Sequence, residues 1–379
     1  MASRMFILAG EASGDVLAAQ LMQAIHQIKG PVAWSGMGGP EMKAAGLTSS
    51  EEMSQLSVIG IGEALTALPR LSRLADRLID LVLDARPEVV FTVDSKAFSV
   101  RFARRLRRRL AGEDWQPKLL HMVAPTIWAW GGWRKTAFET TFDALLCLFP
   151  FEPDLFAPDK LQAVFVGHPL ADRPPGQDRP VQTASAYDLA ILPGSRRSEI
   201  DHHLPVMLPV LKRLQQTHGP LKMAIPAVPH LHDIIAEKVA SAGLKGAVSV
   251  RQVPAREVLG SSAAVIAASG TVTLEAAMSG VPGVVIYHLS LLNRLFTHLF
   301  YKRKTPVLPD LILGRQHYPF VLSPRLNTKT LYQEVAELLD NLPARQSAMQ
   351  DASQELSHVL RAGKGRFADN LAASLKPLI

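Results

Sequence analysis

Short apolar, β-rich runs alternate with amphipathic helical segments along the whole chain, and this alternation limits the fold more than any other feature. Strands separated by helices run parallel in one sheet, with the helices on its faces. The clearest runs lie at 6–10, 89–94, 119–124 and 163–167, then at 189–194, 222–226, 248–250, 264–269 and 283–287. The sequence therefore predicts an α/β protein with two Rossmann-like, doubly wound halves that face each other across a cleft.

The chain of 379 residues is too long for one ordinary core. Residues 170–187 are rich in proline and polar residues and are the best candidate for a linker. We therefore expect an N-terminal domain over 1–169, a C-terminal Rossmann-like domain over 188–345 and a helical tail over 346–379. The tail could pack on the first half or on a partner chain, and the sequence does not decide between these.

The composition is that of a globular protein, with 47% hydrophobic and 20% charged residues. A formal charge of +7 favours anionic partners, namely phosphorylated substrates, acidic lipid headgroups or nucleic acid. Cys147 is the single cysteine, which excludes an internal disulfide, argues against structural zinc and fits a reducing cytoplasm. Apolar stretches stay below the roughly 18–20 residues of a membrane-spanning helix, so we expect a soluble or surface-attached protein.

The segment 264–275 is the strongest candidate for a nucleotide site. An apolar run ends at Ser269-Gly270-Thr271, and a helical segment with Glu275 in its first two turns follows. This arrangement directs unpaired backbone N–H groups and the positive end of a helix dipole at an anion. A carboxylate one turn further could reach a ribose hydroxyl. The alternative is an ordinary capped helix after a buried strand.

A second unit of the same kind contains Gly194, Ser195 and Arg196. The glycine permits close backbone approach, and an arginine suits bidentate contact with phosphate. Ser198 is a candidate cap for the following helix. Taken alone, the segment fits a tight turn with solvated arginines. Two such units in one half favour a nucleotide site at the carboxyl edge of one sheet.

The loop at residues 9–15 follows the first strand but is not GxGxxG, which disfavours a nicotinamide dehydrogenase. Glu11, Ser13 and Asp15 are expected to line the cleft with groups suited to hydroxyl-rich substrates, although a structural turn is the alternative. Residues 36–40 form a second glycine-rich loop that by itself indicates only a strained turn.

Asp94 ends the strand at 89–94, so its carboxylate is expected at the sheet edge, as a base or as a helix cap. An Asp-x-Asp pair for a nucleotide-bound metal is missing from the sequence. Arginine and backbone dipoles would then neutralise a leaving diphosphate, and we expect neither a metal nor another cofactor.

Two basic segments have less specific meanings. Residues 101–110 hold six arginines without interleaved aromatics or a known reading motif, so a solvated helix face is expected and nucleic acid is not. Residues 58–79 mix apolar positions with Arg70, Arg73 and Arg77, which suits binding to an anionic bilayer, although core packing explains part of the pattern. The histidines lack a metal-ligand spacing.

Six motifs in the expected order resemble one family, the bacterial lipid-A-disaccharide synthases: AGEASGD, GMGGPEM, TIWAW, FVGHPLAD, ILPGSR and ASGTVTLE. The resemblance implies a GT-B glycosyltransferase that joins UDP-2,3-diacylglucosamine to 2,3-diacylglucosamine 1-phosphate (lipid X) and releases UDP. It also implies a cytoplasmic location, peripheral on the inner membrane, and leaves a homodimer open.

The resemblance also assigns roles by position. Asp94 matches the family's general base, and Glu11 is placed with it as catalytic, while Ser13, Gly14 and Asp310 fall on the acceptor side. The nucleotide side comprises Gly194, Ser195, Arg196, Ser269, Gly270, Thr271 and Glu275.

This chain departs from the family pattern after the base, where Lys96 and Ala97 replace the usual Pro-Asp, and at Asp310, where asparagine is usual. Gly131 likewise stands where an arginine is often found, although Arg134 is retained. Two rivals therefore stay open: a UDP-sugar epimerase, and a catalytically weakened basic membrane-binding homologue.

Overall fold

The computed structural model describes residues 3–56, 61–128, 132, 134–173, 185–288 and 307–379, except for the side chains of 61–67. Most of the expected linker, the start of the segment at 58–79 and the residues 129–131 lie outside this description. The chain divides into two compact units, one of Met1–Pro169 with Leu360–Ile379 and the other of Leu170–Val359.

The first unit is built on a seven-stranded parallel sheet in the order β3-β2-β1-β4-β5-β6-β7. Its strands are β1 (Ser3–Ala9), β2 (Val32–Met37), β3 (Thr48–Glu51), β4 (Val89–Val93), β5 (Lys118–Met122), β6 (Ala144–Cys147) and β7 (Gln162–Phe165). Its first helices are α1 (Ala12–Lys29), α2 (Pro40–Ala44), α3 (Ile61–Ala85), α4 (Lys96–Arg109) and α5 (Arg134–Glu139).

Apolar side chains cover both faces of this sheet. Along β1, Ile7 packs with the face that α1 covers, and Phe6 packs with the face that α3 and α4 cover. Successive side chains of a strand point to opposite faces, so a strand between two helical layers is apolar throughout. This is why the buried strands stand out in the sequence as short apolar runs.

The second unit has a six-stranded parallel sheet in the order β10-β9-β8-β11-β12-β13. Its strands are β8 (Tyr187–Leu192), β9 (Met223–Pro226), β10 (Val248–Arg251), β11 (Ser262–Ala268), β12 (Gly283–Tyr287) and β13 (Phe320–Leu322). Its helices are α6 (Arg197–Thr217), α7 (Pro229–Ser241), α8 (Ala255–Gly260), α9 (Thr271–Met278), α10 (Leu308–Leu313), α11 (Thr328–Asp340) and α12 (Leu342–Val359).

The C-terminal helices α12 and α13 (Phe367–Leu375) belong to different units. In the second unit, Ser353 of α12 donates a hydrogen bond to the carbonyl of Met278 in α9 at 2.7 Å. In the first unit, Phe367, Leu371 and Leu375 of α13 are buried in the core that α1 shares. The chain therefore returns to its first unit for the last helix. No helix in the described ranges is long and apolar enough to span a membrane.

The strand order reverses once in each sheet, between β1 and β4 and between β8 and β11. In open α/β sheets, ligands bind outside the carboxyl ends of the strands at such a reversal. The turns that leave these four strands are β1–α1, β4–α4, β8–α6 and β11–α9. Each of these four turns contains residues that the sequence predicts to lie in the active site.

Candidate active site

The β1–α1 turn brings Glu11, Ser13 and Gly14 to the carboxyl edge of the first sheet. Glu11 is the N-cap of α1, and its carbonyl accepts the N–H of Asp15 at 2.9 Å. The side chains of Glu11 and Ser13 are exposed, whereas Gly14 is buried. A Cβ at Gly14 would lie 3.6 Å from the Cβ of Asp94, so this glycine allows α1 to begin directly beside the β4–α4 turn.

Asp94 has a strained backbone, with φ of 52°, and Ser95 follows with φ of 41°. A positive φ is unfavourable for residues other than glycine and is often found at functional sites. The Asp94 N–H donates to the carbonyl of Met122 at 3.0 Å, and the Ser99 hydroxyl donates to the carbonyl of Asp94 at 2.9 Å. These bonds fix the backbone of Asp94, from which the carboxylate projects at the sheet edge.

Lys96 is the ion-pair partner of Asp94, with 2.5 Å between its Nζ and the Asp94 Oδ1. The two side chains are 25% and 18% exposed, so the pair borders solvent. Ser95 is the N-cap of α4, so the carboxylate of Asp94 does not serve as the helix cap that was the alternative to a base.

Two buried titratable residues, His121 and Glu152, lie close enough to Lys96 for its charge to lower their pKa values. Burial and, to a smaller extent, the charge of Lys96 together lower the pKa of His121 to about 3. Burial raises the pKa of Glu152 to about 8, although the N–H groups of Phe149 and Leu148, each at 3.1 Å, and the charge of Lys96 oppose this shift. Both side chains are therefore mainly uncharged at neutral pH. Glu152 was not predicted from the sequence, because the residues next to it do not distinguish it from a surface glutamate.

Asp15 does not line an opening, contrary to the expectation from the sequence. It is 2% exposed and accepts hydrogen bonds from the N–H groups of Gly39, Glu41 and Met42 at 2.8, 3.0 and 3.1 Å. A carboxylate that accepts three N–H groups at the start of α2 is a helix cap. Asp15 thus fixes the position of the second glycine-rich loop, residues 36–40, through its hydrogen bonds to these N–H groups.

In the β8–α6 turn, an internal carboxylate lies where an anion would bind. Glu199 accepts the N–H groups of Ser195 and Arg196 at 2.9 and 3.2 Å, and the Arg196 Nη1 donates to it at 3.1 Å. Gly194 has φ of +123° and leaves room for this carboxylate. The Arg196 side chain is 78% exposed. Arg196, not Ser198, is the N-cap of α6, so the predicted serine cap is wrong.

The β11–α9 turn has the predicted strand, turn and helix. β11 is fully buried, the Ser269 N–H donates to the carbonyl of Ile286 at 2.8 Å, and Gly270 is the N-cap of α9. Gly270 and Thr271 are exposed, and open space surrounds the position that a Gly270 Cβ would occupy. Glu275 lies half-buried one turn into the helix.

The two turns of the second unit leave adjacent strands, since β8 and β11 pair in parallel with Leu192 opposite Ala267. His203 ties the first of them to the end of β12. Its Nδ1 lies 2.7 Å from the carbonyl of Pro193, and its Nε2 accepts the N–H of His288 at 3.2 Å. Burial lowers the pKa of His203, so a neutral imidazole links the β8–α6 turn to the end of β12.

Asp310, an expected acceptor contact, is 2% exposed. Its Oδ1 accepts the N–H groups of His317 and Tyr318 at 2.9 and 3.3 Å, so its described contacts are with its own loop. Burial raises the pKa of Asp310 to about 6.

Comparisons with known proteins agree with this architecture. A UDP-GlcNAc 2-epimerase from Neisseria meningitidis, solved with UDP-GlcNAc, superposes with a TM-score of 0.61 at 11% identity, covering 100% of this chain and 99% of that one. A glycosyltransferase from Rickettsia africae superposes with a TM-score of 0.57 at 12% identity, covering 100% and 97%. The fold is thus the one that GT-B glycosyltransferases and these epimerases share.

The amino-acid sequence narrows this class. The family model described as lipid-A-disaccharide synthetase matches residues 5–374. The lipid-A-disaccharide synthase of Rhodospirillum centenum is 34% identical over 366 residues, covering 94% of this chain and 90% of the relative. The chain belongs to the lipid-A-disaccharide synthase family, and it is a glycosyltransferase rather than an epimerase.

Proposed function

We propose that this enzyme transfers the sugar of UDP-2,3-diacylglucosamine to the 6-hydroxyl of 2,3-diacylglucosamine 1-phosphate, with inversion at the anomeric carbon. The bond from that carbon to UDP breaks as the new bond to the hydroxyl oxygen forms. The hydroxyl proton passes to the Asp94 carboxylate, and UDP leaves. The observation that carries the proposal is the placement of nominated residues in all four turns at the two strand-order reversals.

The second unit supplies the UDP site in this proposal. The N–H groups of the exposed residues Gly270 and Thr271 at the start of α9 face the diphosphate together with the guanidinium of Arg196, and Glu275 faces the ribose. Donors arranged in advance stabilise the charge that develops on the leaving group. Arg196 exchanges Glu199 for phosphate when UDP binds, since its exposed side chain is free to turn. When Glu199 releases the N–H groups of Ser195 and Arg196, the backbone beside Gly194 and Ser195 approaches the diphosphate.

The first unit supplies the base and the acceptor side. Asp94 is held at the sheet edge next to Gly14, on the turn that also exposes Glu11 and Ser13. Ser13 and Gly14 contact the acceptor sugar, and Glu11 assists Asp94. Asp310 acts on the acceptor side through the loop that it anchors.

One assay tests this function: the purified chain is incubated with both diacylated sugars in detergent, and free UDP and disaccharide are measured. We expect both products from the wild type. Asp94→Asn should lower kcat by about 10²–10⁴-fold, because general base catalysis contributes this much. UDP binding, followed by thermal stabilisation, should be unchanged. Equal losses of turnover and UDP binding would contradict the role of Asp94 as base. Conversion of UDP-N-acetylglucosamine without an acceptor would instead indicate an epimerase.

The surface that faces the membrane is proposed to include the start of α3. Leu68 is 38% exposed, and Arg70 and Arg73 are exposed beside it. This mixture of apolar and basic side chains suits an anionic bilayer surface, with the cytoplasmic face of the inner membrane as its location.

We also propose that the enzyme forms a homodimer, which sedimentation would test.

A further inference from the structure

Lys96 forms an ion pair with the proposed base, and the reaction described so far gives it no role. We propose that Lys96 binds the phosphate monoester of the acceptor, so that the enzyme selects a sugar 1-phosphate over the same sugar without phosphate. This inference rests on the proposed function and deepens it.

The geometry leaves Lys96 able to exchange partners. The backbone of Asp94 is held by its bonds to Met122 and Ser99, and its carboxylate forms the ion pair with Lys96. Lys96 is the first residue of α4, and its flexible four-carbon stem carries a compact charge that turns without moving the helix. Its side chain is 25% exposed, so its ammonium group is within reach of solvent and ligand.

The charges around Asp94 indicate that a cation is needed there to bind a phosphate. His121 and Glu152 are mainly uncharged at neutral pH, as described above. Without Lys96, the Asp94 carboxylate would repel an approaching phosphate. Two other cations of this unit, Arg77 and Arg105, are engaged by Glu51 and Asp76.

Binding of phosphate by Lys96 would also expose the base. A phosphate monoester carries more negative charge than a carboxylate and offers three acceptor oxygens, so it competes well for the ammonium group. As Nζ turns to the phosphate, Asp94 Oδ1 becomes available to the acceptor hydroxyl. Recognition of the phosphate and activation of the base are then one event.

The test compares two acceptors, 2,3-diacylglucosamine 1-phosphate and its dephosphorylated counterpart, in the wild type, Lys96→Met and Lys96→Arg. The wild type should favour the phosphorylated acceptor in kcat/KM by at least about tenfold, and Lys96→Met should reduce this preference to within about threefold of unity. Lys96→Arg should retain most of it, because the charge remains. Lys160→Met, which removes an exposed lysine of the same unit, is the matched control and should keep the wild-type preference.

Dissociation constants for both acceptors, measured without donor, give the same ratio for a variant too slow to assay. A ratio that falls in Lys96→Met but not in Lys96→Arg supports the inference. An active wild type whose preference is the same in Lys96→Met overturns this inference alone. A wild type that releases no UDP with either acceptor overturns the proposed function, and the inference falls with it.

Discussion

At the scale of single residues, the β8–α6 turn illustrates how a helix cap and an anion site use the same groups. The N–H groups that the sequence nominates for phosphate are occupied by Glu199. A glutamate three residues after an N-cap is a known capping signal, and here it follows Arg196 at that spacing. The sequence therefore predicted the turn. It did not predict which carboxylate accepts the N–H groups of the turn, because that depends on three-dimensional contacts.

Arg196→Ala tests whether this guanidinium binds the diphosphate. We expect UDP affinity to fall by about 10–100-fold, since a charge-assisted hydrogen bond contributes about 1.5–3 kcal/mol. Isothermal titration with UDP measures the change. Arg197→Ala is the matched control, because Arg197 pairs with Asp201 along the same helix at 2.8 Å. Equal losses in both variants would indicate a general charge effect.

Asp310→Asn should stabilise the protein at neutral pH. The folded-state pKa of Asp310 is about 6, above its ordinary value of 3.8. The folded state thus holds the proton more tightly, so the stability contributed by this group is complete below about pH 4 and is lost as the pH rises to about 6. An asparagine keeps the acceptor for His317 and Tyr318 without the charge.

Thermal unfolding of the wild type and Asp310→Asn should therefore give similar Tm values at pH 4 and a higher Tm for the variant at pH 7. A gain of the same size at both pH values would contradict the assignment. UDP release by the variant also measures how far the acceptor site depends on the Asp310 loop.

At the scale of elements, the last helix depends on burial in the first unit. Leu371 of α13 is fully buried, and α13 packs against α1. Leu371→Ala should lower the free energy of unfolding by about 2–5 kcal/mol, because it leaves a cavity. Urea unfolding measures this. Lys376→Ala, at an exposed position of the same segment, should have little effect, and equal losses would argue against packing as the cause.

The four strands at the order reversals were predictable, and so were the edge strands β7 and β10, whereas the edge strands β3 and β13 were not. β1, β4, β8 and β11 are almost entirely apolar because helices cover both faces of their sheets. β3, at the edge of the first sheet, has the sequence TSSE, and β13, at the edge of the second, has three residues. β3 is polar and β13 is short, so neither forms the longer apolar run that identified the other strands. β2 and β6 were also missed, since each merges into neighbouring loop or apolar residues.

At the scale of the whole molecule, several of the basic side chains form ion pairs within the fold, which leaves the net charge at +7. Arg105, Arg107 and Arg109 of the arginine-rich helix α4 pair with Asp76, Asp143 and Asp80. The predicted solvated face is confirmed at Arg101, Arg104 and Arg108, which are exposed, but the sequence does not show which acidic residues the fold brings opposite the others. The three paired arginines join α4 to α3 and to the turn before β6, so they are poor candidates for a lipid surface.

Binding to vesicles distinguishes the two sets of arginines. The wild type should co-sediment with vesicles that contain anionic lipid and much less with neutral ones, and binding should weaken as salt screens the surface charge. Arg70→Gln with Arg73→Gln should weaken binding by about tenfold or more, at about 1 kcal/mol for each basic residue near the surface. Arg107→Gln with Arg109→Gln is the matched control and should bind like the wild type, because both residues have partners. If the control pair lost as much binding as the α3 pair, net charge would be the cause and the α3 surface would have no special part.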